Sequence, residues 1–322
     1  ATEFLPMRAA VYSALGIVLG RWAVPAFFMI TGYLLMNPAR EVGWRQVKRY
    51  VLRMVAVLAT YGLAFALMEE VWASVRSGAG LSPMALWRAV VDVISASTWD
   101  HLWYVYALLG VYLLVPALRL LQARLGRTGF CVATVALFAA VLAIPTCLHL
   151  FSLFATGEVF VPVQGAAALP VNVVVGITCF CVGACLERVR LTWPLVVCGV
   201  VSLVVMLGTS LWGIFAGLGD CGFVFLQGSC FACAHAVLVL ALLRRWLGNK
   251  PIENNPLVES LARDSFGVYV LHPLFVHVVL LGVGPTVLPS PLFEVVLFAV
   301  ALGGSIVLTR VMRRVPYLGT LL

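Results

Sequence analysis

The chain has 322 residues, of which 63% are hydrophobic and only 11% are charged, and its mean hydropathy is +1.06. A soluble domain has about 25% charged residues, so this composition excludes a soluble globular protein and predicts an integral membrane protein. The net charge of +8 comes mainly from short segments between apolar runs, which favours membrane topology over nucleic-acid binding as its explanation.

Nine apolar runs are long enough to cross a bilayer, since a spanning helix needs about 20 residues. They are residues 9–36, 50–75, 101–121, 128–148, 169–186, 193–216, 222–243, 265–283 and 291–308. We therefore predict an all-α fold, a polytopic transmembrane helical bundle with nine spans. Residues 1–322 are expected to form a single integral membrane domain.

The positions of Lys and Arg predict the orientation of these spans. The segments that follow spans one, three, five, seven and nine hold 17 of the 21 basic residues. Cytoplasmic loops carry such an excess. We expect a multi-pass protein of the plasma (inner) membrane, with its basic loops and C-terminus in the cytoplasm and in contact with membrane lipids.

The first span contains an arginine, and an ionisable residue inside a span is costly enough to be a functional candidate. Arg21 is followed by Pro25, which removes a backbone donor and loosens the helix. Two interpretations remain open: Arg21 extends toward the interface, or it lines a site together with the freed carbonyl groups.

Four basic residues lead into the second span, and their helical spacing puts them on one face. Such a face suits a polyphosphate ligand, but from spacing alone topology and lipid headgroups explain it better. The residues are Arg45, Lys48, Arg49 and Arg53.

The third span opens with Asp100-His101-Leu-Trp103-Tyr104. Trp103 and Tyr104 are typical of the aromatic belt at a membrane interface. His101, which follows a carboxylate, is a candidate general base.

The later spans contain two histidines near mid-membrane, His235 and His272, for which a hydrogen bond across helices is one explanation. Cys230, Cys233 and His235 are spaced like metal ligands, but successive turns of one apolar helix rarely supply a closed ligand set. We predict no metal site.

Three sequence blocks resemble the signatures of one family, the acyltransferase family 3 membrane proteins. The first block begins at Arg21 and continues through Val-Pro and Phe-Phe to Thr31-Gly32, where the family has Ser-Gly. The second is His-Leu-Trp-Tyr, starting at His101. The third is Tyr-Val-Leu-His-Pro, starting at Tyr269, which is similar to the family's Tyr-x-x-His-Pro. The blocks occur in the family's order and extend over nearly the whole chain.

The resemblance implies an enzyme, an O-acyltransferase that moves an acyl group, commonly acetyl, from cytoplasmic acyl-CoA to a sugar hydroxyl. The acceptor would be a cell-envelope glycan or a lipid-linked saccharide, and acetyl-CoA would serve as co-substrate without any bound cofactor. The implied catalytic residues are Arg21, His101 and His272. The implied substrate-binding residues are Arg45, Lys48, Arg49 and Arg53 for the donor, with Thr31, Trp103, Tyr104 and Tyr269 also lining the site.

The chain departs from the family pattern in two places. Family members have ten helices, and the first carries an Arg or Lys followed by the essential histidine. The first span here matches the family's second and the sequence begins at Ala1, so we expect the N-terminal helix to be missing. The family's Arg-x-x-Arg pair is replaced by Arg45-x-x-Lys48 and Arg49-x-x-x-Arg53.

An alternative function is a solute transporter or flippase without covalent chemistry, since related membrane domains fused to amino-acid racemases have been interpreted as serine-uptake modules. The sequence has no internal repeat, which weakens the transporter folds built from duplicated halves. A nonfunctional truncated product is a third interpretation. An apolar helix with a histidine, encoded upstream of Ala1 in the same frame, would favour the enzyme.

Overall fold

The computed structural model of the chain describes residues 7–78, 80, 82–97, 99–157, 165–218, 228–248, 255–283 and 290–322. All regular structure in these residues is helical, which confirms the predicted all-α polytopic bundle. The α-helices are α1 (Met7–Gly20), α2 (Ala23–Leu35), α3 (Trp44–Val57), α4 (Leu63–Ser77), α5 (Ala85–Ile94), α6 (Trp103–Phe138), α7 (Ile144–Thr156), α8 (Leu169–Ala184), α9 (Trp193–Phe215), α10 (Cys230–Leu247), α11 (Pro256–Val283), α12 (Pro291–Met312) and α13 (Pro316–Leu321).

Seven helical stretches of the described residues are long and apolar enough to cross a membrane, whereas the sequence predicted nine spans. One stretch, Trp103–Thr156, has 54 residues. This is about 80 Å of helix, far more than the roughly 30 Å of one crossing. Gly126 interrupts it with φ 66° and ψ 172°, so it contains the third and fourth predicted spans. The fifth predicted span forms the 16-residue helix α8, which falls short of a full crossing length. The seventh begins at residues 222–227, outside the described residues.

The first predicted span is not one continuous helix. Arg21 and Trp22 form a turn between α1 and α2, in which the Arg21 N–H donates to the Val18 carbonyl at 3.3 Å. Pro25 explains the interruption, because proline has no N–H to offer the carbonyl four residues earlier, here that of Arg21. The helix therefore restarts within the span, beside an arginine.

Contacts between residues divide the chain into two compact units. The C-terminal unit comprises Ala1–Ile17 and Leu243–Leu322, and the central unit comprises Val18–Leu242. In the central unit α2 packs most extensively against α8, which also contacts α6, and α6 in turn contacts α3. The assignment of residues 1–322 to a single domain stays a prediction.

Two glycines allow α2 and α8 to approach closely. A Cβ added at Gly32 would lie 2.7 Å from the carbonyl carbon of Phe180, and one added at Gly183 would lie 2.6 Å from that of Met29. Carbon atoms in contact are about 3.5–4.0 Å apart, so a larger residue at either position would push the helices apart. Helix contact thus explains the glycine that ends the first sequence block.

Arg119 on α6 fixes the turn between α2 and α3. Its Nη1 donates to the Leu35 carbonyl at 2.6 Å and its Nη2 to the Arg40 carbonyl at 2.8 Å. The last carbonyls of a helix need such donors. At the end of α8, Arg188 donates to the Thr128 hydroxyl on α6 at 3.1 Å. The turn after α2, the middle of α6 and the end of α8 therefore lie together, and we call this region the basic end of the central unit.

In the C-terminal unit, a buried aspartate joins α11 and α12. Asp264 is only 2% exposed and accepts hydrogen bonds from Arg310 Nε at 2.8 Å and from Arg313 Nη1 at 2.5 Å. Arg313 also donates to the carbonyl oxygens of Arg263 and Leu322. One carboxylate thus holds the ends of two helices and, through Arg313, the last residue of the chain.

Candidate functional site

The first two sequence blocks meet in the central unit through aromatic rings. Phe28 on α2 lies with its ring centroid 4.6 Å from that of Tyr104 and 6.5 Å from that of Trp103, both on α6. Phe27 lies 6.2 Å from Tyr104. Phe28 and Tyr104 are buried. The Phe-Phe pair of one block is therefore the surface against which the Trp-Tyr pair of the other packs.

Thr31 adds a polar contact to this aromatic cluster. Its hydroxyl donates to the Phe27 carbonyl one helical turn earlier, at 2.8 Å, and it is also hydrogen-bonded to the Tyr104 side chain. The Thr31 hydroxyl therefore contacts both its own helix and α6. A serine can make the same two bonds, so Thr31 preserves what the family's serine offers here.

Arg21 occupies the turn between α1 and α2. Its side chain is half-buried, and the Nε atom is fully shielded from solvent. Interrupted helices leave backbone groups available within a membrane protein, and binding sites form at such positions. A guanidinium held there is suited to stabilising a negative charge that develops on a reacting oxygen.

His101 lies in a 3-10 turn directly before α6, whereas the basic end meets the middle of that helix. Its ring meets Phe65 edge-on with centroids 5.6 Å apart, and lies 6.1 Å from Trp99. Phe65 and Trp99 stack on each other at 4.7 Å. The predicted role of the Asp100 carboxylate lies outside the described side chains. The described surroundings of His101 are aromatic and match the interface belt that its neighbours predicted.

The amphipathic helix α3 carries the predicted donor residues. Its apolar face is buried and includes Val47 and Met54. At its inner side Tyr50 packs against Tyr112 of α6 with ring centroids 5.3 Å apart, and Tyr112 lies within electrostatic reach of Arg53. All four basic side chains are exposed to solvent: Arg45, Lys48, Arg49 and Arg53.

The third block, Tyr-x-x-His-Pro, has a structural explanation within α11. Pro273 has no N–H for the carbonyl of Tyr269, four residues earlier. The Nδ1–H of His272 donates to that carbonyl instead, at 2.7 Å, and lies 3.2 Å from the carbonyl of Val268. A carbonyl oxygen only accepts, so Nδ1 carries the proton and Nε2 carries the lone pair. The bond to the carbonyl thus sets the tautomer of His272, and the Tyr269 ring lies beside it with ring centroids 6.2 Å apart.

The structure groups the predicted site residues by unit. Thr31, Trp103 and Tyr104 come together in the central unit. Tyr269 and His272 come together in the C-terminal unit. Arg21, His101 and the basic face of α3 all belong to the central unit, where they lie at the helix interruption, at the start of α6 and along α3 respectively.

The cysteine–histidine pattern on α10 makes contacts to different neighbours. Cys233 Sγ lies 3.4 Å from Cys179 Sγ on α8, and His235 Nδ1 lies 3.2 Å from the Gly199 carbonyl on α9. Across the residues that the structure describes, no group of three or more His, Cys, Asp or Glu is placed to hold a metal ion.

Sequence reasoning missed Asp264 and a pair of thiols. The sequence contains a signal for Asp264, because it lies among arginines at the edge of a span. A carboxylate there is costly to bury unless it is paired, so an ion pair with one of these arginines could have been predicted. Cys131 on α6 and Cys185 after α8 have Sγ atoms 3.0 Å apart. Their separation by 54 residues gave no signal in the sequence.

Comparison with known proteins identifies the family of the chain. The family model of the acyltransferase domain, acyltransferase family 3, matches residues 3–310 and so includes all three sequence blocks. Searches among curated proteins and among solved structures gave no match. The match extends over far more than half of the chain, and the described helices suit a multi-pass membrane protein. The chain belongs to acyltransferase family 3.

Proposed function

We propose that the chain is a membrane-bound O-acyltransferase that moves an acyl group, with acetyl expected, from cytoplasmic acyl-CoA to a hydroxyl of a cell-envelope glycan or lipid-linked sugar. The observation that carries the proposal is the family match over residues 3–310. In the reaction the thioester C–S bond breaks and an ester C–O bond forms. The proton of the acceptor hydroxyl ends on the CoA thiol.

The donor is proposed to bind with its phosphates on the basic face of α3. Four cations on one exposed helical face suit a ligand with several phosphate groups, because guanidinium and ammonium groups form short charge-assisted hydrogen bonds with phosphate oxygens. Arg49 and Arg53 are one helical turn apart, so their side chains can hold one phosphate together.

Arg21 is proposed to stabilise the oxyanion of the tetrahedral intermediate, and His272 to accept a proton at Nε2. The first role is supported by the position of Arg21 at a helix interruption, and the second by the Nδ1–H bond to Tyr269. His101 and Trp103 are proposed to lie on the acceptor side. Removing one oxyanion donor slows an enzyme by about 100- to 1000-fold, so Arg21→Ala should lower transfer by at least about 100-fold while Arg21→Lys retains part of it.

The test is transfer of labelled acetyl from acetyl-CoA to envelope glycan, in membranes that carry the full reading frame. An Arg49→Ala/Arg53→Ala double variant is compared with Arg190→Ala, which removes an exposed charge outside α3. We expect labelled glycan with the unchanged chain and with Arg190→Ala, and strongly reduced labelling with the double variant.

Two results would contradict the proposal. If no glycan is labelled with any of several acyl donors, the transferase assignment is wrong, and solute uptake is the function to test next. If labelling occurs but the double variant retains full activity at low acetyl-CoA, the donor phosphates do not bind on α3.

A further inference from the structure

A small open pocket lies at the basic end of the central unit, between the ends of α2 and α8 and the middle of α6. Its lining includes the guanidinium groups of Arg127 and Arg188, the amides of Asn37 and Gln122, and one carboxylate, Glu187. None of these residues belongs to the three sequence blocks or to the basic face of α3.

The charged groups of the pocket are only loosely engaged with one another. Arg127 Nη1 lies 3.9 Å from Glu187 Oε2, and the two side chains are 60% and 41% exposed. An ion pair with this distance and exposure contributes little to stability, so Arg127 can exchange it for a better anionic partner. Arg188 is oriented by its Nη1 bond to Thr128, which uses one of the five N–H donors of a guanidinium.

The chemistry of these groups suits a phosphate. A guanidinium binds phosphate through two parallel hydrogen bonds, and its planar shape makes it the preferred residue for this purpose. Asn37 Oδ1 accepts from the Ala39 N–H at 2.9 Å, which leaves the amide NH₂ of Asn37 as a donor toward a ligand. Two arginines against one glutamate give the lining a net positive charge.

We propose that this pocket binds a phosphate group of the acyl donor, with Arg127 and Arg188 as its ligands. The identity of the donor as acyl-CoA rests on the proposed function. The pocket is a site separate from the basic face of α3, and a CoA molecule has phosphates at two positions, so it can use both. The phosphate diester of an anionic lipid headgroup offers the same chemistry, and the experiment below distinguishes the two sources.

Two thiols in the pocket lining provide a readout that does not depend on catalysis. Cys131 and Cys185 line the pocket with their Sγ atoms 3.0 Å apart. A ligand held by Arg127 and Arg188 would cover them. Cys198 is exposed on α9 and does not line the pocket, so it serves as an internal control in the same chain.

The experiment measures the rate of N-ethylmaleimide labelling at Cys131 and Cys185, by peptide mass spectrometry, relative to Cys198. The full chain is studied in detergent, in nanodiscs of zwitterionic lipid and in nanodiscs with anionic lipid. The added compounds are free CoA, which cannot acylate, and pantetheine, which lacks the phosphates. We expect CoA to slow labelling of the pocket thiols at least about fivefold in all three environments, and pantetheine to have no effect.

Variants then connect this protection to the arginines. An Arg127→Ala/Arg188→Ala double variant should lose the protection by CoA. An Arg124→Ala/Arg190→Ala variant removes two exposed charges from the same segments without touching the pocket lining, and should keep it. If the double variant fails to fold, the comparison of CoA with pantetheine on the unchanged chain still tests whether protection requires the phosphates.

Several results would overturn the inference. One is equal labelling with and without CoA, and another is undiminished protection in the Arg127→Ala/Arg188→Ala variant. A third is protection by anionic lipid but not by CoA, which would assign the phosphate to a lipid headgroup. Glycan labelling that persists at low acetyl-CoA in the Arg127→Ala/Arg188→Ala variant would refute the phosphate site but not the proposed function. Protection by CoA in a chain that transfers no acyl group would support the site and refute the function.

Discussion

Gly32→Ala tests whether close contact between α2 and α8 holds the central unit together. The added Cβ would lie 2.7 Å from the carbonyl carbon of Phe180 and 3.0 Å from its Cα. Because carbon atoms in contact are about 3.5–4.0 Å apart, the helices must separate by about 1 Å. Both atoms belong to the backbone, so no side-chain rotation relieves the overlap. Overpacking of this kind costs about 1–3 kcal/mol. We expect a loss of about 2 kcal/mol, or about 30-fold in the ratio of folded to unfolded protein.

The assay is thermal unfolding of the purified chain in detergent, followed by the fraction that remains monodisperse on size exclusion. Gly208→Ala on α9 is the matched control, since nothing lies within 4 Å of the Cβ that it adds. Alanine is a better helix former than glycine by about 1 kcal/mol, so this control should unfold at the same temperature or higher. Gly183→Ala, where the Cβ would meet Met29, should destabilise as Gly32→Ala does.

The double variant Gly32→Ala/Gly183→Ala gives a second check. Both substitutions separate the same two helices, so their combined cost should be smaller than the sum of the single costs. Unfolding of Gly32→Ala at the temperature of the unchanged chain would refute the close contact between α2 and α8. Simple additivity of the two substitutions would show that they act on different contacts.

Three further changes test other features. Pro273→Ala restores a backbone N–H that competes with His272 for the Tyr269 carbonyl. Because the hydrogen bond that His272 would lose is worth about 1 kcal/mol, acyl transfer should fall about fivefold. Unchanged transfer would contradict the role of the proline. Asp264→Ala should lower the free energy of unfolding by about 2 kcal/mol. This is less than the loss for a fully buried ion pair, because Arg310 is 55% exposed. A shift in unfolding temperature no larger than that of a surface substitution would contradict the stabilising role of Asp264. Mild oxidation with hydrogen peroxide should form a disulfide between Cys131 and Cys185, with the two thiol hydrogens leaving as water. Mass spectrometry that finds no disulfide-linked peptide would argue against the 3.0 Å distance between their Sγ atoms.

The fold was largely predictable because lipid imposes a strong constraint on sequence. A span must be long and apolar, so the predicted spans that fall in the described residues are helical, although they do not correspond one to one with the helices. The details that the sequence did not predict depend on single residues acting locally. Pro25 interrupts the first span at Arg21, and Gly126 forms a kink between the third and fourth predicted spans. A hydropathy pattern averages over such positions.

The site was less predictable, for reasons that particular residues illustrate. The Phe-Phe and Trp-Tyr pairs are recognisable in the sequence, but only the structure shows that Phe28 packs on Tyr104. The partner of His272 is a backbone carbonyl, which no side-chain pattern reveals. The pocket at the basic end is lined from three separate segments, and the sequence explains Arg127 and Arg188 only as basic residues of cytoplasmic loops.

The hold of Arg119 on the turn after α2 has a thermodynamic consequence. That turn contributes Asn37 to the rim of the pocket, and Arg119 donates to the carbonyls of Leu35 and Arg40 on either side of it. Fixing a residue's backbone costs about 1–2 kcal/mol of conformational entropy. Here the cost is met when the chain folds, so a molecule arriving at the rim does not have to order it. The affinity of the proposed phosphate site would therefore depend in part on Arg119, a side chain outside the pocket lining.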